Sequence, residues 1–251
     1  MMNNLQATLL FPVRDAESRK QFLIASAILL ASMIVPILPM LVVLGYGAKI
    51  MRQVIDEGRE PSMPDWQGSD WGALLMEGLR LWGVRMLYSL PLMILMGCGF
   101  MVMFAGTGLL ASASEGGDIP PALGGLAFMI GFGVIMLLGL LALPLGIVLG
   151  AVESHVVTKQ SFQAAFQFKE WAPIFRKSFV QFLLAYVIVM AASMILTFAM
   201  QIAMMTIVLL CILPFLMMGI STYIALVMSA LFAQAYAAGR AALNAEAHAS
   251  A

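Results

Sequence analysis

Charge is what this sequence has least of. Its 251 residues include 13 Lys and Arg and 13 Asp and Glu, while 62% of the chain is hydrophobic. Globular domains carry roughly 25% charged residues, so the composition excludes an ordinary soluble domain. The two signs cancel, and no global field recruits nucleic acid or an acidic substrate. Histidine is limited to His155 and His248, and cysteine to Cys98 and Cys211, each inside an apolar run. A buried free cysteine behaves as a small hydrophobe, so neither a disulfide nor a redox compartment follows. No G-x-S-x-G, H-E-x-x-H or Gly-rich phosphate loop is present, and the apolar runs hold no paired carboxylates. Intramembrane catalysis needs activated groups. The expectation is a protein with no catalytic residues, no metal and no cofactor.

Apolar length is what the chain has in abundance. Segments at about 22–48, 81–106, 122–152, 178–199 and 205–238 approach or exceed the roughly 20 residues that cross a hydrocarbon core. They must be helices, because an open sheet edge in lipid leaves backbone groups unpaired. The expected fold is therefore all-α: a polytopic helical membrane protein of about five segments in one domain over 1–240, with a flexible tail over 241–251. Gln201 is the expected turn between the last two segments.

Lys and Arg place the 49–80 and 153–177 connectors and the C-terminus on the cytoplasmic face. The 107–121 loop, which holds Glu115 and Asp118 and no basic residue, faces outward. The first segment is ambiguous. A single crossing of 22–48, kinked by Pro36 and Pro39, is the favoured reading, although it leaves Arg14, Arg19 and Lys20 outside. A re-entrant hairpin broken at the prolines keeps both flanks inside.

An internal repeat organises the rest. LPMLVVLGYGAKIMRQVI at 38–55 aligns with LPLGIVLGAVESHVVTKQ at 143–160, and Asp70-Trp71 has its counterpart in Glu170-Trp171. The expected plan is two similar halves plus a final span, with two interfacial amphipathic connectors.

The first connector concentrates polarity, since 45–85 holds 11 of the 26 charged residues. Helical spacing of Ile50, Met51, Val54 and Ile55 carries the first segment on to Gly58, where Pro61 and Pro64 enforce a turn. Ser69 or Asp70 caps the next helix, whose Trp71, Leu74, Leu75 and Leu79 share a face. Trp66, Trp71 and Trp82 suit a membrane–water interface. Candidate contacts to lipid headgroups or a partner are Lys49, Arg52, Trp66, Trp71, Arg85, Lys169, Trp171, Arg176 and Lys177. Arg85 snorkels or pairs with Glu77. Glu153 and His155 are expected as solvated residues at a helix end. Ala142, Gly146 and Gly150 recur every four residues as a helix-packing face.

FPVRD at 11–15, Gly45-Tyr46 followed by Arg52, MPDW at 63–66, Gly78 and LYSLP at 87–91 resemble a family of prokaryotic integral membrane proteins known only as a domain of unknown function. Met63 stands where leucine is usual. The resemblance implies a multi-span helical protein of the prokaryotic cytoplasmic (inner) membrane and supplies no substrate or catalytic residue. The functional expectation is a non-catalytic scaffold or accessory subunit. Its partners are membrane lipids and a partner membrane protein or a second copy of the chain, with no nucleic acid. The alternative is a transporter or lipid-handling protein, favoured by the repeat and the proline-broken segments.

Overall fold

The computed structural model describes residues 5–114, 120–204 and 212–249. Among them the chain is helical: α1 (Leu5–Leu10), α2 (Ala16–Leu30), α3 (Leu38–Asp56), α4 (Trp71–Ser114), α5 (Pro121–Lys159), α6 (Phe168–Lys177), α7 (Phe179–Met204) and α8 (Leu213–Ala249). Short 3-10 turns cover Ala31–Met33 and Phe162–Phe166. α3, α4, α5, α7 and α8 are long and apolar enough to cross a membrane. The fold is all-α and polytopic, as the hydropathy requires.

Local chemistry sets several boundaries. The Asp15 carboxylate accepts from the Ser18 backbone N–H at 2.7 Å and caps α2. That hydrogen bond holds its carboxyl below the usual value of 3.8. Asp70 caps α4, accepting from Gly72 at 2.9 Å and Ala73 at 3.3 Å. Ser69 instead donates to the Asp65 carbonyl at 2.8 Å. α3 stops at Asp56, and Gly58 follows in the left-handed region at φ 63°. Gln160 takes the same conformation, φ 52°, just after α5.

Several boundaries differ from the sequence reading. The 22–48 run is broken over 31–37, between α2 and α3. Residues 57–70 contain no helix, so an amphipathic helical connector exists in the second elbow but not in the first. α4 starts at Trp71 and continues to Ser114, taking in much of the expected outer loop; Glu115 and Asp118 lie outside the described residues. Gln201 is helical within α7, and the start of the expected last span, with Cys211, is also outside them. Residues 241–249 continue α8 rather than forming a tail. Pro91 and Pro144 sit inside α4 and α5 without ending either helix.

The chain forms two compact units, Met1–Val84 with Val148–Ala251, and Arg85–Ile147. In the first, the second half of α8 is the central post. Leu226, Val227, Ala230, Leu231, Phe232, Ala233, Ala235 and Tyr236 are all buried. Small residues let its neighbours close in. A Cβ on Gly150 of α5 would lie 2.7 Å from the Phe232 ring, and one on Gly239 of α8 would lie 2.6 Å from the Ile174 carbonyl. α3 crosses the start of α4 at two reciprocal glycines. A Cβ on Gly45 would sit 2.0 Å from the Leu74 carbonyl oxygen, and one on Gly78 would sit 1.8 Å from that of Leu41. Backbone contact of this kind is how helices associate where lipid removes the hydrophobic drive.

The Arg85–Ile147 unit is an antiparallel pair made from parts of α4 and α5. Gly106 abuts the Phe128 backbone, Gly124 that of Leu110 and Gly131 that of Met103, with 2.4–2.7 Å from each virtual Cβ to the facing amide nitrogen. Side chains turned away from this seam are exposed, including Met93, Ile94, Met101, Phe104, Met129 and Leu137.

Candidate functional site

The polar groups of the first unit gather where α3, α5 and α8 end and the two elbows begin. His155 is 2% exposed, and its Nδ1 lies 2.7 Å from the Tyr236 hydroxyl of α8. Its Nε2 has no hydrogen-bond partner among the described residues and faces the Glu170 carboxylate of α6 at 3.7 Å. The Lys159 ammonium, 2.7 Å from Glu170, donates to that carboxylate and holds its carboxyl below the ordinary 4.5. Four residues on from Tyr236, Arg240 pairs with Asp56 at the end of α3, 3.4 Å away. Lys177 pairs with Glu246 of α8 at 2.5 Å. One face of α8 thus ties down the ends of α3, α5 and α6. The expectation of solvated helix-end groups fails for Glu153 and His155. Both are buried, because α8 and α6 cover that end of α5.

The first elbow is built around Trp66. Its ring stacks on Tyr46 with centroids 4.1 Å apart and planes at 6°. Its Nε1–H donates to the Gln21 carbonyl at 3.0 Å, and its backbone N–H to the Gln21 side-chain oxygen at 3.3 Å. The Tyr46 hydroxyl donates to the Pro64 carbonyl at 2.6 Å. Trp66 is therefore a buried clamp joining α2, α3 and the 57–70 chain, rather than a headgroup anchor. Trp171 is likewise buried, with its Nε1–H donating to the Ala165 carbonyl at 3.2 Å. Trp71 remains exposed and stacks on Trp66 at 5.6 Å.

The basic candidates divide in the same way. Lys49 donates to Ser69 Oγ at 3.1 Å, and Arg52 is paired with Glu77. Since Arg52 occupies Glu77, the partner expected for Arg85 is already engaged; Arg85 is half-buried. Arg52 and Glu77, with Arg80, Val156 and Gln160, line a recess of about 10 Å³, room for roughly one water molecule. Lys169 and Arg176 are exposed on the second elbow, flanked by exposed Phe162, Phe166, Phe168 and Phe179. Basic residues alternating with exposed aromatics are the chemistry of a surface lying at a headgroup layer. Of the three small-residue candidates, Gly150 packs on Phe232, while Ala142 and Gly146 are half-buried.

Sequence reasoning missed Gln21, Tyr46, Tyr236 and Phe232. A signal was available for the last two. Ala230, Ala233, Ala235 and Gly239 crowd the end of the final apolar run, and small residues mark a helix approached closely by its neighbours.

Fold and site together define a polytopic all-α protein whose polar groups knit helix ends to one another. Residues 28–205 match the family described as "Protein of unknown function (DUF4013)", and the chain belongs to that family. No curated protein and no solved structure matches it.

Proposed function

We propose that this chain is a non-catalytic integral membrane protein of the prokaryotic cytoplasmic membrane, a scaffold or accessory subunit that binds partner membrane proteins or lipids. The supporting observation is the Arg85–Ile147 hairpin. Beyond Arg85, neither 86–114 nor 121–147 holds an Asp, Glu, Lys, Arg or His. Its glycines are spent on the seam between its own helices, and it turns methionine, leucine and phenylalanine outward. Flexible methionine suits a surface that must fit an apolar partner. In the first unit most ionic groups are occupied with each other, leaving Lys169 and Arg176 on the second elbow for anionic headgroups. Transport or lipid handling is the second reading, favoured by the break between α2 and α3, since discontinuous helices recur in transporters.

Purification from native membranes in mild detergent separates the two. A stoichiometric partner retained through size exclusion is the expected result. A homogeneous preparation without a partner that moves a solute or lipid in liposomes would sink the scaffold reading.

A further inference from the structure

We infer that α2 and α3 form a re-entrant hairpin, with the bend at residues 31–38 in contact with the hydrocarbon core and both flanks on the face that carries the two elbows. The inference goes beyond the proposed function and does not depend on it. Three independent observations carry it.

The first is the direction of the chain. Gly47 of α3 packs on Ser229 of α8, and nine residues later Asp56 pairs with Arg240 at 3.4 Å. α3 and α8 therefore run the same way, and α3 ends beside the C-terminal half of α8. α2 runs the opposite way. Arg14, just before it, pairs at 3.8 Å with Glu60, just after α3, and Gln21 is clamped to Trp66. The start of α2 thus lies beside the chain that leaves α3. Arg14, Arg19 and Lys20 join Lys49, Arg52 and Arg240 on one face, which removes the conflict between a single crossing and the positive-inside rule.

The second is length. The apolar part of α2, residues 22–30, spans about 14 Å at 1.5 Å per residue, and residues 38–48 of α3 span about 17 Å. Each reaches about half of a 30 Å core. Residues 29–45 hold no charged side chain that would place the bend in water on the far side.

The third is the chemistry of the bend. Met33, Val35, Ile37 and Leu38 are exposed, and Ile34 is 87% exposed, the most of any large apolar residue. Backbone at membrane depth survives only if its polar groups are satisfied and protein lies alongside. The Ile34 and Val35 N–H groups both donate to the Ala31 carbonyl at 3.0 Å. Pro36 and Pro39 have no N–H to satisfy, and Pro39 stands in the first turn of α3, where a donor would be orphaned. Leu41, Val42, Val43 and Tyr46 bury α3 in the first unit.

The test uses the full chain with Cys98→Ala and Cys211→Ala, carrying one new cysteine at a time: Arg14→Cys, Ser62→Cys or Ile34→Cys. A membrane-impermeant maleimide is applied to intact cells and to inverted vesicles. Arg14→Cys is expected to react in the same preparation as Ser62→Cys, and Ile34→Cys in neither until detergent is added. Losing the exposed Arg14–Glu60 pair leaves folding intact, because such pairs contribute little. Arg14→Cys and Ser62→Cys reacting from opposite sides would establish a single crossing and overturn the hairpin. Reaction of Ile34→Cys from either side would remove the bend from the hydrocarbon and overturn it equally. A nitroxide on Ile34→Cys checks the buried state directly. Its relaxation is expected to respond to oxygen and not to a water-soluble nickel chelate, and the reverse preference overturns the inference.

Discussion

At the scale of single residues, the glycines make the sharpest claims, because what they meet is backbone that cannot rotate away. Gly45→Ala would set a methyl 2.0 Å from the Leu74 carbonyl oxygen, and Gly78→Ala would set one 1.8 Å from that of Leu41. α3 and α4 must then part, and overpacking of this kind costs about 1–3 kcal/mol. Gly97 and Gly133 have nothing within 4 Å of a virtual Cβ, and alanine is the better helix former by up to about 1 kcal/mol. Thermal unfolding in detergent should show Tm falling for the first pair and holding or rising for the second. Equal shifts across all four would refute the crossing. Glu170 supports a prediction in pH. Hydrogen bonding from Lys159 depresses its folded pKa below the ordinary 4.5. The stabilisation is therefore fully present above about 4.5 and is lost as pH falls through the lower folded value. The gap in Tm between wild type and Glu170→Gln should be small, because the pair is exposed, and should close on acidification below about 4.5. A gap that persists unchanged into acid would mean the carboxylate charge is not what Lys159 recognises.

At the scale of elements, Trp66 decides how the first elbow holds. Trp66→Ala removes a buried indole that stacks on Tyr46 and donates to Gln21, a loss of about 3–5 kcal/mol for a large core aromatic. Trp71→Ala, on the exposed side of the same stack, should cost much less. Denaturation monitored by the remaining tryptophans ranks the two, and a reversed order would make Trp66 a surface anchor after all. This contrast also marks how far the sequence could be read. The α4 cap at Asp70, the end of α3 by Gly58 and the non-helical run past Pro61 and Pro64 all follow from local chemistry, and each was legible. The burial of Trp66 was not, because a tryptophan beside a charged segment suits an interface and a clamp equally well. The reversal at 31–37 was legible only as an alternative, since proline kinks some membrane helices and ends others. The central role of α8 was hidden for a third reason. A helix apolar on every side gives no periodic signal to separate the face that meets protein from the face that meets lipid.

At the scale of the whole molecule, the two units divide the chemistry between them. All four tryptophans, Trp66, Trp71, Trp82 and Trp171, lie in the first unit, as do the ion pairs of the two elbows. The Arg85–Ile147 hairpin has the glycine seam and the outward apolar side chains. A surface for an apolar partner should therefore be separable from the core that holds the elbows. Replacing Gly106 and Gly131 together by leucine drives side chains into the Phe128 and Met103 backbones, whose amide nitrogens lie 2.4 and 2.5 Å from the virtual Cβ atoms. The helices of the hairpin must splay, and the outward face they present loses its shape. Near-UV circular dichroism of the tryptophans reports the first unit alone and should be retained in the double variant. A partner held through the hairpin should then be lost from the detergent complex. Retention of that partner beside an opened hairpin would move the contact to the elbows, where Lys169 and Arg176 stand exposed. Loss of the tryptophan signal together with the partner would instead mean that the two units fold as one.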